Sequence, residues 1–371
     1  MLRVSYQDLF DALLRVLLKI GFEPRSAQRC AQLFAESNRD GVYSHGLNRF
    51  PRFLAMIQSG LIDIHVKPAL LTSFAAMERW DGKIGPGNLN AWHGMERAIA
   101  LSREHGIGCV ALANTNHWMR GGSYGWQAAD AGVIGICWTN TLPNLPPWGA
   151  SDPRVGNNPF IIAVPRPKGH VVLDMAMSQF SYGALASYRM RGELLPVDGG
   201  FDTEGKLTRD PGAIEASNRP LPIGFWKGSG LALMLDLLAA VLSGGKASYQ
   251  IEPVPERETM VSQVFIAIDP SFLHPEIGST DPASQVADQI IEHFQSPPHS
   301  AGEARALSRL PRSANSKGKS GQRHTRGTSH LAAVTVAVRF FRLQLFSLTE
   351  FRFKFLWFDR RRVISILEMV Y

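Results

Sequence analysis

The sequence predicts an α/β protein with an all-helical opening lobe and a core other than the Rossmann fold. Three observations lead there. Apolar residues recur at helical spacing over the first sixty positions. From Ile107 onward, short apolar and β-branched runs bounded by Gly, Pro and Asn take their place. The glycine fingerprint of a dinucleotide-binding βαβ unit is missing: Gly106-Ile107-Gly108 comes before a strand, where the motif should follow one, and Lys83-Ile84-Gly85-Pro86-Gly87 has no P-loop pattern. A chain of 371 residues, 45% hydrophobic, suits a soluble globular protein of two lobes or domains.

In chain order, Ser5-x-x-Asp8 opens like a capping box, with Leu9, Leu13, Val16, Leu17 and Ile20 at helical spacing and Gly21 as the stop. Pro24 starts a second helix through Cys30, Ala31 and Phe34 that ends before Asp40-Gly41. A third is expected from Ser44 to Gly60. These helices make up a lobe over residues 1–75. An α/β region over 76–303 is expected to hold a helix from His93 to His105 and strands at Ile107–Leu112, Val133–Trp138, Phe160–Val164, Val171–Met175 and Val264–Ile268. Gly228-Ser229-Gly230 precedes an apolar helix, Leu231 to Leu242, read as buried and too short to span a membrane. A last helix is expected at Asp281–Phe294.

After Ala304 the character breaks. Of the 39 Lys+Arg and 32 Asp+Glu, 14 and 3 lie in 304–371, so the net charge of +7 comes entirely from the last fifth and the body is mildly acidic. The net charge therefore gives no argument for a polyanion partner of the body, and the tail's aromatics lack the spacing of a nucleic-acid module. Cys30, Cys109 and Cys137 are few, odd in number and in apolar contexts, which reads as reduced core thiols rather than disulfides. No CxxC or HExxH spacing suggests a metal. The opening residues run straight into an amphipathic helix with no secretory pattern, so a cytoplasmic protein is expected.

Candidate chemistry gathers in two runs. Tyr43-Ser44-His45-Gly46-Leu47-Asn48-Arg49-Phe50 places His45 and Arg49 four apart, on one face of the expected third helix. A histidine exchanges protons cheaply near neutral pH, and an arginine holds a carboxylate through parallel hydrogen bonds. Together they suit reduction of a ketone beside an anion; the alternatives are a helix-start cap and a surface arginine. The second run, Asn114-Thr115-Asn116-His117-Trp118-Met119-Arg120-Gly121-Gly122, places His117 and Arg120 just past a strand end, or else forms a turn around a core histidine. Lys227, in Trp226-Lys227-Gly228-Ser229-Gly230, stands at a helix N-terminus, where a pyrophosphate would be favoured; the alternative is a plain glycine-punctuated helix start. Asp174 ends an apolar strand and could orient a ribose or cap the next segment; Asp198 could be a turn aspartate.

With these residues in view, the chain resembles the malate/L-lactate dehydrogenase family of type 2. The runs YSHGLNRFPRF, NTNHWMRGGSYGWQAA, ICWTN, PPWGA, GNNPF and LPVDGGFD carry the likeness in order, over about residues 1 to 311. The fuller strings from Gly41 to Phe53 and from Asn116 to Ala129, with FWKGSG, resemble its members that reduce a diketo sugar acid. The resemblance implies a non-Rossmann α/β fold with a largely antiparallel sheet flanked by helices, a homodimer, and NAD(P)H near the subunit interface, with NADH preferred over NADPH. It implies His45 as proton donor and Arg49, His117 and Arg120 around the substrate. It implies cofactor contacts from His170, Val171, Val172, Leu173, Asp174, Met175 and Ala176, and from Trp226 and Lys227. Malate, lactate, ureidoglycolate and sulfolactate partners remain open as alternatives, as does a catalytically impaired remnant. The family's third cofactor contact follows a Leu-Pro pair as Gly-His-Glu or similar; here Leu310-Pro311 is followed by Arg312-Ser313-Ala314. That departure coincides with the charge break, which suggests that the tail from about Arg312 is out of register with the ancestral coding frame.

Overall fold

The computed structural model describes residues 4–273 and 282–295. The basic tail from 304, with the Leu310–Ala314 departure, lies outside the described residues. The opening helices are α1 (Tyr6–Lys19), α2 (Pro24–Arg39) and α3 (Phe50–Gln58). Strands β1 (Ala69–Phe74) and β2 (Met77–Asp81) lead into α4 (Gly87–His105), β3 (Ile107–Asn116), α5 (Gly122–Asp130), β4 (Ile134–Thr139), β5 (Pro143–Leu145), β6 (Val155–Gly156), β7 (Phe160–Val164) and β8 (Val171–Met175). Then come α6 (Tyr182–Arg191), β9 (Gly200–Phe201), β10 (Leu207–Thr208), α7 (Pro211–Ser217), α8 (Trp226–Ser243), β11 (Thr259–Ile268) and α9 (Pro282–Gln295).

Seven strands form one sheet in the order β1-β2-β3-β11-β4-β7-β8. Every pairing in it is antiparallel except β2 with β3, the pair joined across α4. The expected non-Rossmann, largely antiparallel α/β fold is therefore observed. Helices α4 and α5 bury Ala91, Met95, Ala98, Tyr124 and Ala128 with Val110, Leu112, Ile161 and Phe265 of the sheet. Against Ala111, Trp138 and Val264 lie Ala232, Leu235 and Ala239 of α8. The opening lobe has its own core of Leu13, Leu17, Phe34, Phe50 and Phe53, completed from the sheet side by Met119. β1, within the expected helical lobe, instead pairs with β2 at the sheet edge.

Half of the expected capping box forms: Ser5 Oγ accepts from the Asp8 N–H at 3.1 Å, while the Asp8 carboxylate takes the Ser5 hydroxyl at 2.7 Å rather than the Ser5 N–H. The third helix differs from expectation. Tyr43–His45 is a single 3-10 turn and α3 starts only at Phe50. Pro51 explains this. Its ring and missing N–H are tolerated in a first turn but break a helix interior, and a helix from Ser44 would have put it there. The apolar helix is also corrected: α8 begins at Trp226 and leaves Leu231, Leu233, Met234, Leu237, Leu238 and Val241 exposed, so only one side of it is buried. Among the described residues it is the one helix that would pass for a membrane span by length and composition, yet it lies along the sheet.

Candidate active site

The site forms at the seam between the helical lobe and the sheet. The 3-10 turn carrying His45 can sit there because Gly46 lies against α2: a Cβ on it would fall 2.2 Å from Asn38 Nδ2. From the other side, the start of α6 closes on the same turn through Gly183, where a Cβ would fall 2.8 Å from Ser44 Cβ. The second run crosses the seam from the end of β3. Trp118 is buried in the sheet core and Met119, at φ +66°, in the lobe core. With those two neighbours anchored in opposite layers, His117 and Arg120 are left at the seam itself.

The structure thus brings the two runs together. The rings of His45 and His117 stack with centroids 5.7 Å apart and planes 19° apart. His45 and Arg49 are not on one helical face, since turns rather than α-helix connect them, but they remain electrostatic neighbours. Burial, then the charges of Arg49 and Arg120, push the His45 pKa down to about 4. Burial, then Arg49, His45 and Arg52, hold His117 well below the ordinary histidine value. Both imidazoles are therefore neutral near neutral pH.

Each ring has one nitrogen fixed. Ser44 Oγ lies 2.9 Å from His45 Nδ1. The Met119 N–H donates to His117 Nδ1 at 3.0 Å, so the neutral His117 ring carries its proton on Nε2.

The two arginines differ in how fully their charge is answered. Arg120 forms a close ion pair with Asp40, which Arg39 also holds at 2.9 Å. Burial pushes Asp40 up, but the hydrogen bonds from Arg39 and Arg120 outweigh it and leave the carboxyl below its usual range. Arg49 meets Glu258 at 3.4 Å, a looser contact, and burial lowers its pKa to about 10. Arg49 is thus the less compensated cation. Sequence reasoning missed both carboxylates, and Ser44 as a partner of His45.

The expected cofactor residues form a second, adjoining surface. β8 is the far edge of the sheet, with Leu173 and Asp174 exposed. The chain after it pairs with the segment entering α8: the Gln179 N–H donates to Leu221 O at 2.7 Å and the Ile223 N–H to Met177 O at 2.8 Å. Trp226 and Lys227 therefore emerge beside the end of β8, and α6 carries the same surface on to Ser44. Lys227 has no ion pair among the described residues. Two of the expected side chains are engaged within the chain. His170 accepts from the Arg166 N–H and meets Asp130 at 3.1 Å; Asp174 accepts from the Gly122 N–H at 2.9 Å, capping α5.

The sequence matches the malate/L-lactate dehydrogenase family over residues 4–316. A 2,3-diketo-L-gulonate reductase of Klebsiella pneumoniae (strain 342) is 51% identical over 268 residues, 72% of this chain and 80% of the relative. One of Escherichia coli O6:K15:H31 (strain 536 / UPEC) is 50% identical over the same shares. Among solved structures, the sulfolactate dehydrogenase of Methanocaldococcus jannaschii superposes with TM-score 0.74 at 29% identity, over 81% of this chain and 86% of that one. The Δ1-piperideine-2-carboxylate reductase of Pseudomonas syringae pvar. tomato gives 0.72 at 30%, over 83% and 93%. A histidine pair beside an arginine, on this sheet and with these relatives, places the chain in the malate/L-lactate dehydrogenase family, oxidoreductases of hydroxy and keto acids that use a nicotinamide cofactor.

Proposed function

We propose that this enzyme reduces 2,3-diketo-L-gulonate to 3-dehydro-L-gulonate, with NADH preferred over NADPH. The observation that carries the reading is the stacked His45–His117 pair beside the under-compensated Arg49. The substrate is that named for the relatives at 50–51% identity. Arg49 takes the substrate carboxylate. Arg120, already paired with Asp40, supports the pocket's positive field.

When bound, the nicotinamide supplies hydride to the keto carbon. The chain's own part is proton delivery and charge stabilisation. A neutral His45 is a poor acid, but a carboxylate on Arg49 offsets one of the charges that depress it, so its pKa rises as the substrate enters. The protonated ring then gives its Nε2 proton to the developing alkoxide, with Ser44 orienting Nδ1. His117, whose Nε2–H is free to donate, hydrogen-bonds a substrate oxygen and stabilises the charge that develops there.

The residues present fit a dinucleotide along the β8–α8 surface. Lys227 in the first turn of α8 suits a pyrophosphate, and Trp226, 66% exposed, offers a ring face. With His170 and Asp174 engaged, β8 contributes chiefly through its backbone. Steady-state assays are expected to give a higher kcat/KM with NADH than NADPH, and with 2,3-diketo-L-gulonate than with malate, lactate, ureidoglycolate or sulfolactate partners. Faster turnover of another 2-keto acid would reassign the substrate within the family.

The exposed face of α8 supports the homodimer. Its six large apolar side chains are more than a lone surface helix leaves in water. Sedimentation is expected to give twice the chain mass, and the double substitution Leu237→Asp, Val241→Asp is expected to give single chains. Wild-type protein sedimenting at the chain mass would remove this assembly.

A further inference from the structure

Glu258 was not among the sequence candidates, and its placement is unusual. It lies at the start of β11, 5% exposed, directly before Thr259, which pairs with Asn116. It therefore sits beside the end of β3, where His117 follows Asn116. The register of β11 shifts just beyond it, between Thr259 and Val261, and Met260 there has φ +59°. Such bulges re-aim side chains and recur beside active sites.

Both oxygens of its carboxylate are used. Oε1 accepts from the Leu142 N–H at 3.2 Å, and Oε2 meets Arg49 Nη2 at 3.4 Å. A buried carboxylate with one oxygen fixed by backbone is a stationary anchor. Arg49, by contrast, starts a helix on the opposite lobe, across 209 residues of sequence.

We propose that Glu258 is a positioning residue for the reaction: held by the Leu142 N–H, its carboxylate keeps the Arg49 guanidinium beside the His45–His117 pair, in place for the substrate carboxylate. This rests on the reading of Arg49 given above. The contact is loose enough to leave Arg49 donors for a ligand, and buried enough to keep the arginine from swinging to solvent. The charged groups around Arg49 are Glu258, Arg52 and Glu256; those around the histidines are Arg49, Arg52 and Arg120, the last paired with Asp40.

The test is a double-mutant cycle of Glu258→Gln and Arg49→Gln in the full chain. It uses whichever 2-keto acid the wild-type enzyme turns over best, so a wrong substrate assignment shows in the wild type and not in the cycle. Glu258→Gln alone is expected to raise KM by about 5–50-fold with kcat changed less than about threefold, and to move the His45 limb of the pH profile to lower pH, because Arg49 loses its counter-charge. In the Arg49→Gln background the same change is expected to have no further effect on KM. Glu258→Asp, which keeps the charge, is expected to leave the limb in place. His45 titration followed by NMR reads the same shift without turnover. Additive effects on KM, or an unmoved limb and KM with only a lower melting temperature, would overturn the proposal and leave Glu258 a structural acid.

Discussion

His45→Ala is expected to lower kcat by about 10²- to 10⁴-fold, the usual contribution of a positioned general acid, while binding of the dinucleotide is unchanged. The separation follows from the layout. His45 sits on the 3-10 turn between α2 and α3, whereas the surface proposed for the cofactor is β8, the segment after it and the start of α8. Steady-state turnover and a fluorescence titration with NADH measure the two independently. A variant with full turnover would remove His45 from proton transfer. The same residue carries a stability signature with a definite sign. Its folded pKa is about 4, against 6.5 for an ordinary histidine. Between those two values the unfolded chain binds a proton that the native chain refuses. Native stability contributed by this site therefore falls as pH falls from about 6.5 to about 4, and levels off below that. His45→Gln is expected to flatten this part of the stability–pH curve, as read by denaturant unfolding at several pH values.

What the sequence revealed of this site, and what it hid, divides along physical lines. The two histidines and two arginines were legible because each is a chemically distinctive residue in a short, unusual string. Their joint geometry was not. The i, i+4 spacing of His45 and Arg49 implied a helical face, but Pro51 delays α3 and the pair is brought together by turns instead. The overlooked proline was itself a readable signal. Asp40 and Glu258 were hidden for another reason. Asp40 reads as a helix end before glycine and Glu258 as one more charge in Pro-Glu-Arg-Glu, and a carboxylate's burial depends on a partner far away in the chain. The sheet interior was legible from β-branched runs such as Phe-Ile-Ile-Ala-Val of β7. The edge pair β1 and β2 was not, since β1 is largely exposed and β2 reads Met-Glu-Arg-Trp-Asp. For α8, an all-round apolar pattern cannot distinguish a helix sunk in its own core from one with a face turned outward.

Arg49→Gln is expected to cut kcat/KM by about 10- to 150-fold, almost all of it in KM, since a hydrogen bond to a charged group is worth about 1.5–3 kcal/mol. The same change at Arg120 should behave differently, and the contrast is the sharper test. Arg120 is bound up with Asp40, so Arg120→Gln leaves a partly buried carboxylate with only Arg39 to answer it. Its main cost is therefore expected in thermal stability, with a smaller rise in KM. At Arg49 the stranded group is Glu258, which keeps its bond from the Leu142 N–H, so stability should suffer less than substrate binding. Both substitutions also raise the His45 pKa, because each removes a positive charge that lowers it, though burial remains the largest cause and keeps the value below that of a free histidine. The His45 limb of the pH profile, where reduction slows as the ring loses its proton, is thus expected to move to higher pH in either variant. Arg49→Lys restores the charge without the two-pronged donor geometry, so it should return the limb towards its original position and recover only part of the lost KM. If Arg120→Gln raised KM more than Arg49→Gln did, the carboxylate would be held by the opposite run, and the substrate would enter the seam with its reacting end reversed.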